Sequence, residues 1–159
     1  MLDPLKMIDK HRGRIPVPVF EIITDIGLLL EIRPLEDHVS GWIELTDQNT
    51  YKIVVNSTHA PTRQRFTAAH ELGHFLYHRD LLGAGTGDTR AYRTEASPLP
   101  NAKIRPRHER QANSFAANLL MPLETIQQLI AAGVQDVATM AERLGVSEEA
   151  MKIRLGGTF

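Results

Sequence analysis

Apolar side chains recur along this chain first at helical spacing, then in three extended runs, then at helical spacing again. Asp3 to His11 reads as a short helix, with Asp3 as its cap and Pro4 at its first position. Val19, Ile22, Ile23 and Ile26 share one face of a helix over Val17 to Ile26, and Gly27 is placed to stop it. Leu28 to Arg33 is an apolar run that ends before Pro34, Val39 to Leu45 carries Trp42, Ile43 and Leu45, and Tyr51 to Asn56 is β-branched and aromatic. Turn-forming Asp47-Gln48-Asn49 between the last two predicts an antiparallel hairpin. Pro61 to His78 reads as one long helix, with Phe66, Ala69, Leu72, Gly73 and Leu76 on its apolar side. Leu82 to Pro106 loses all periodicity. Its Gly83-Ala84-Gly85-Thr86-Gly87 run and three prolines predict a long loop. Helical spacing returns from Arg107 to Leu120, with Ala112, Phe115, Ala116 and Leu119 on one face, and breaks at Met121-Pro122. Leu123 to Ala132, Val137 to Leu144 and Ser147 to Leu155 complete the chain as three shorter helices. The expected fold class is α+β: a small, mostly antiparallel three-stranded sheet packed on the Pro61–His78 helix, with a helical C-terminal half.

Composition narrows the partners more than the fold. The 159 residues suit one domain with a real core, and 42% hydrophobic with 23% charged content is ordinary for a soluble protein. A formal net charge of -1 supplies no overall field toward nucleic acid or a membrane surface. There is no Cys, so disulfides and thiolate metal sites are excluded, and any metal must be held by His and carboxylates. Residues 1–14 are mixed and charged without an apolar core, unlike a secretory signal. The longest strongly apolar run, Ile26 to Ile32, is far too short to span a bilayer. A cytoplasmic protein is expected.

The chemistry concentrates in His70-Glu71-Leu72-Gly73-His74, an H-E-x-x-H string inside the long helix. Residues four apart lie on one helix face about one turn apart, so His70 and His74 can point two imidazoles at one metal ion. Glu71 can reach a water in the open coordination position and act as general base. The plain reading is an amphipathic helix with two surface histidines. A zinc site needs a third protein ligand, and His78, Asp80, Glu95, His108 and Glu109 are available. His78 continues the series, but it lies about 12 Å from His70 along the axis, too far to share an ion. Asp80 stands where the extended zinc motif places a third His, but Tyr77 fills the position of that motif's required Gly. Glu109 is the best of these, near the start of the next helix, although an acid there also suits the helix dipole. Asn113, four residues on, can hydrogen-bond a ligand imidazole and fix its tautomer.

The segment Arg65-Phe66-Thr67-Ala68-Ala69-His70-Glu71-Leu72-Gly73-His74-Phe75-Leu76-Tyr77-His78 resembles the motif helix of the ImmA/IrrE family of metallopeptidases. Glu109-Arg110-Gln111-Ala112-Asn113-Ser114-Phe115-Ala116-Ala117-Asn118-Leu119-Leu120-Met121-Pro122 is similar to that family's second block, with Gln111 where the family often has Glu. With Ile53-Val54-Val55-Asn56, these segments cover about a fifth of the chain. The resemblance implies a zincin-like domain, a single Zn2+ held by His70, His74 and Glu109, and Glu71 as catalytic base. It also implies a narrow substrate, since family members typically cleave or pair with a helix-turn-helix repressor or antitoxin in stress responses, mobile elements or toxin–antitoxin modules.

The domain is then expected to span 1–159. Residues 1–60 would be N-terminal helices and sheet, 61–122 the metal-site helices and their loop, and 123–159 C-terminal helices. The expected reaction is zinc-dependent hydrolysis of a peptide bond in a protein partner. Tyr92, His78 and His108 are candidates to donate to the oxyanion, each also readable as a plain surface residue. A peptide could add as a strand beside an exposed sheet edge, for which Tyr51 to Asn56 is the candidate. Its alternative is an ordinary interior strand. The Gly83–Gly87 run is no phosphate loop, lacking Lys-Ser/Thr, and reads as a lid or tether. Arg90, Arg93, Lys103, Arg105, Arg107 and Arg110 could rim the site for an acidic partner or simply be solvated.

Two other functions compete. One is a zincin-like toxin or regulatory module that binds its repressor or antitoxin without cutting it. The other is a DNA-binding regulator using 137–155, which resembles a helix-turn-helix with Ala141, Gly145 and Val146 at its corner. Its second helix opens Ser-Glu-Glu and carries only Lys152 and Arg154 as basic residues, so packing is favoured over phosphate contact.

Overall fold

The computed structural model describes residues 2–82, the backbone of 90–94, and 104–157. Asp3 caps α1 (Pro4–Lys10) by accepting from the Leu5 N–H, and α2 (Val19–Ile26) ends on Gly27 in the left-handed region at φ 98°. Three strands follow, β1 (Leu29–Arg33), β2 (Val39–Leu45) and β3 (Tyr51–Asn56), then the long helix α3 (Pro61–Tyr77). A fourth strand, β4 (Arg90–Thr94), precedes α4 (Pro106–Leu120). The last three helices are α5 (Leu123–Ala131), α6 (Val137–Leu144) and α7 (Glu148–Gly156). The fold class is α+β, with a helical C-terminal half.

The sheet order is β1-β3-β2-β4. β2 and β3 form the expected antiparallel hairpin, with Ile43 opposite Ile53 and Trp42 opposite Val54. β1 lies parallel to β3, and β4 adds antiparallel to the far side of β2. Two expectations change here. The region read as a continuous loop contains β4, whose partner β2 supplies the hydrogen bonds that Arg90 to Thr94 cannot advertise by apolar alternation. Tyr51–Asn56 is not an edge. It lies between β1 and β2, and Ile53, Val54, Val55 and Asn56 are all buried. A strand covered on both faces reads as a continuous apolar run, as this one does.

α3 is the centre of the molecule. It contacts β2 and β3 on one side, α2 at one end and α4 along its length. Ile22, Ile23 and Ile26 from α2, Ile43, Ile53 and Val55 from the sheet, and Ala68, Ala69, Leu72 and Phe75 from α3 form one core with residues of α4 to α7. Helix α3 thus has no solvent face over Thr67 to Phe75, where every residue is buried. Buried polar side chains are costly unless something engages them, so the polar residues of this stretch need a reason to be there.

Arg65, one turn earlier on α3, shows how the C-terminal helices are fastened. Its Nη2 donates to the Val17 carbonyl at 2.7 Å, and its Nε donates to the carbonyl of Gly145 at the α6–α7 corner at 3.0 Å. Arg154 of α7 turns inward and donates to the Met121 carbonyl at 3.0 Å. The corner that resembles a helix-turn-helix is therefore packed against the domain, and one of the two basic residues of its second helix is spent on that packing. No described helix is long and apolar enough to cross a membrane.

Candidate metal centre

Three donor groups meet between α3 and α4. His70 and His74 project from successive turns of α3, and Glu109 comes from the first turn of α4. His70 Nε2 lies 2.9 Å from one Glu109 carboxylate oxygen, and His74 Nε2 lies 3.3 Å from the other. The donor atoms of all three residues lie within 4.8 Å of one another. Tetrahedral ligands about 2.0–2.1 Å from an ion stand roughly 3.3 Å apart. Two imidazoles and one carboxylate at this separation fit a zinc-like divalent ion and leave one position for water.

Both imidazoles are buried, His70 at 0% and His74 at 1% exposure, while the Glu109 side chain keeps 34%. Burial alone would raise the Glu109 pKa, but its contacts with His70 and His74 outweigh this and hold the carboxyl well below the usual range. The third donor is therefore an anion across the neutral pH range, as a metal ligand must be. Glu71, adjacent to His70, is fully buried.

Each imidazole is held from behind. His70 Nδ1 is 2.8 Å from Asn113 Oδ1, the partnership expected from sequence. An amide oxygen only accepts, so Nδ1 carries a proton, and in the neutral ring Nε2, 2.9 Å from Glu109, is the nitrogen left to ligate an ion. His74 Nδ1 is 2.9 Å from His78 Nδ1, and His78 Nε2 is 2.9 Å from Gln111 Oε1. The His108 ring lies beside the His78 ring, centroids 4.7 Å apart.

These contacts correct the reading of His78. It is neither a plain surface residue nor available to an oxyanion, because it is buried and both ring nitrogens are engaged. Burial lowers its pKa and keeps it neutral. His108 Nδ1 accepts from the Arg105 N–H and so helps start α4, and burial, then the nearby Arg107 charge, lowers its pKa. Asp80 lies in a short 3-10 turn outside the cluster. Arg105, Arg107 and Arg110 are exposed at the start of α4. The Tyr92, Arg90 and Arg93 side chains, with Gly83–Gly87, Glu95 and Lys103, lie outside the described residues.

The approach of α4 depends on Gly73, the last residue before His74. A Cβ there would stand 3.1 Å from Phe115 Cδ1 and 3.2 Å from Ala112 Cα. The small pair Gly73 and Ala112 lets the two backbones close, which brings Glu109 within reach of both imidazoles. Gly73→Val is expected to push α4 outward, costing about 1–3 kcal/mol of stability and weakening metal binding. Thermal melts and zinc titration would detect both, and unchanged metal affinity would show that Glu109 reaches the cluster without this close packing.

A second group of possible ligands, His11, Glu21 and Asp25, joins α1 to α2. It is already neutralised by Lys10 and Arg14: Lys10 Nζ is 3.0 Å from Asp25 and Arg14 pairs with Glu21 at 3.1 Å. Cations in those positions make it an ion-pair cluster rather than a metal site.

Among protein families, the model of the peptidase M78 family, described as the IrrE N-terminal-like domain, matches residues 25–156. No curated protein matches the chain significantly.

Proposed function

Because the chain belongs to the peptidase M78 family of IrrE N-terminal-like domains, we propose that it is a zinc-dependent endopeptidase. His70, His74 and Glu109 hold the ion, and Glu71 is the general base. The observation that carries this reading is the convergence of two imidazole Nε2 atoms and one carboxylate from two separate helices. Zinc bound there supplies Lewis acidity, acidifying water and polarising a carbonyl.

The side chains divide the remaining work. Asn113 holds His70 in the tautomer that leaves Nε2 free to ligate. Glu71 takes the proton of the attacking water and passes it to the leaving amine as the peptide C–N bond breaks. Its complete burial excludes bulk water from that transfer. The exposed side of Glu109 marks where solvent reaches the cluster.

The substrate we propose is a helix-turn-helix repressor or antitoxin encoded with this protein. Support for that choice is the sequence resemblance alone. The test has two parts. Elemental analysis of purified protein is expected to find one zinc per chain, lost in His70→Ala. Incubation with the co-encoded repressor is expected to yield a defined cut that a chelator abolishes. A stable complex without cleavage at full zinc occupancy would replace the enzyme with a binding module. No zinc in the unsubstituted protein would remove the metal centre altogether.

A further inference from the structure

The two metal-facing imidazoles are supported in different ways. His70 is backed by one amide, Asn113. His74 is backed by a chain of two groups, His78 and then Gln111. We propose that His78 is a positioning residue that fixes the tautomer and orientation of His74, with Gln111 as the acceptor that sets the direction of the chain. This rests on the metal-centre reading above.

The direction of every hydrogen bond follows from chemistry. His74 directs Nε2 toward the cluster, where it lies 3.3 Å from Glu109. A ligating nitrogen must be unprotonated, so the His74 proton sits on Nδ1. His74 Nδ1 therefore donates to His78 Nδ1 across 2.9 Å. A neutral imidazole that accepts at Nδ1 carries its proton at Nε2. That proton meets Gln111 Oε1 at 2.9 Å, an amide oxygen that only accepts. All three groups are satisfied in one arrangement, His74 to His78 to Gln111. The reverse direction would place a proton on the nitrogen facing the metal.

Packing leaves His78 little freedom to turn away. It is 3% exposed, with the His108 ring at 4.7 Å and the Tyr77 ring at 6.4 Å. His108 and Gln111 are one turn apart on α4. The helix that supplies the third ligand thus also supplies the ring beside His78 and the acceptor beyond it. Glu109 and Asn113 lie four apart on the same helix and serve the ligand cluster and His70. The geometry of α4 against α3 therefore sets both imidazoles and the carboxylate together.

The experiment is zinc affinity by competition with a chromophoric chelator, in the full chain. His78→Phe keeps a buried ring but removes the acceptor, and zinc binding is expected to weaken about 10–100-fold. His78→Asn places an amide oxygen near the lost Nδ1 and is expected to recover most of that loss. Exposed Gln111→Leu poses little risk to folding and should weaken zinc by a smaller factor. Nitrogen-15 NMR of the zinc-loaded protein should show His78 protonated at Nε2 and bare at Nδ1. Melting of the metal-free variants separates folding from binding.

Equal zinc affinity in His78→Phe, His78→Asn and the unsubstituted protein would overturn the proposal while leaving the metal centre standing. So would a His78 proton found on Nδ1 in the loaded protein. Failure of the unsubstituted protein to bind zinc would overturn both.

Discussion

Glu71→Gln is expected to lower the cleavage rate by about 10²–10⁴-fold while zinc content stays at that of the unsubstituted protein. Glutamine has nearly the same shape as glutamate and accepts hydrogen bonds, but at neutral pH it cannot take a proton. Glu71 is fully buried in the middle of α3, between elements that contact both the sheet and α4. An alanine there would confound lost chemistry with a cavity, whereas glutamine removes the base alone. The measurement is single-turnover cleavage of the repressor with zinc quantified in the same sample. Undiminished cleavage at full occupancy would exclude Glu71 as base and require another proton acceptor near the cluster.

The largest effect on stability is expected at Asn56, which ends β3. Its side chain is completely buried. The Oδ1 atom accepts from the backbone N–H groups of Leu35 and Thr58 at 3.1 and 2.9 Å, and from the Thr58 hydroxyl at 2.8 Å. Its Nδ2 faces the carbonyls of Leu35, Glu36 and Val39 at 3.4, 3.1 and 2.8 Å. One amide therefore ties the β1–β2 connection to the turn that leads into α3. Asn56→Ala strands several backbone groups at once; those of half-buried Leu35 and Val39 cost about 1–3 kcal/mol each where they stay shielded, while the exposed Glu36 and Thr58 can turn to water. Allowing for partial relaxation, a loss of about 3–5 kcal/mol is expected. Asn56→Asp should fare no better, because a carboxylate cannot donate to three carbonyls. Urea unfolding should show a lower midpoint with an unchanged slope. A loss below about 1 kcal/mol would mean that water replaces the amide without strain.

The elements with strong periodicity stand where their sequences place them. Asp3 caps α1, Gly27 ends α2, and the Asp47-Gln48-Asn49 turn joins an antiparallel pair. β4 escaped because a five-residue strand beside a glycine-rich run has no alternation strong enough to mark it, and its partner β2 lies about fifty residues earlier. The position of β3 escaped for a related reason. Its apolar run states that it is covered, but only pairing with β1 and β2 says that both neighbours are strands.

At the site, the His70 and His74 arrangement is helical geometry written directly into a five-residue string. Glu109 is different. Chemistry alone makes it the best of five possible third ligands, and the resemblance of the second block strengthens that choice. His78 is assigned by tertiary contacts and not by spacing. Its spacing from His74 is visible in the sequence, but spacing alone does not distinguish a surface residue, an oxyanion donor and a partner of His74. The acceptor that decides, Gln111, is thirty-three residues away.

Local sequence by itself determined the helices with caps, the hairpin, the shared face of His70 and His74, and the absence of thiolate ligands. The last follows from a composition without Cys, and the others from rules acting over short stretches of chain. Tertiary structure alone decided that Glu109 stands within 3.3 Å of both imidazoles, that His78 faces His74 and Gln111 together, and that Arg65 pins the α6–α7 corner. Each of these depends on how closely α3 packs against a distant element. That distance is set by paired side-chain volumes, such as Gly73 against Ala112, which no stretch of sequence specifies without its partner.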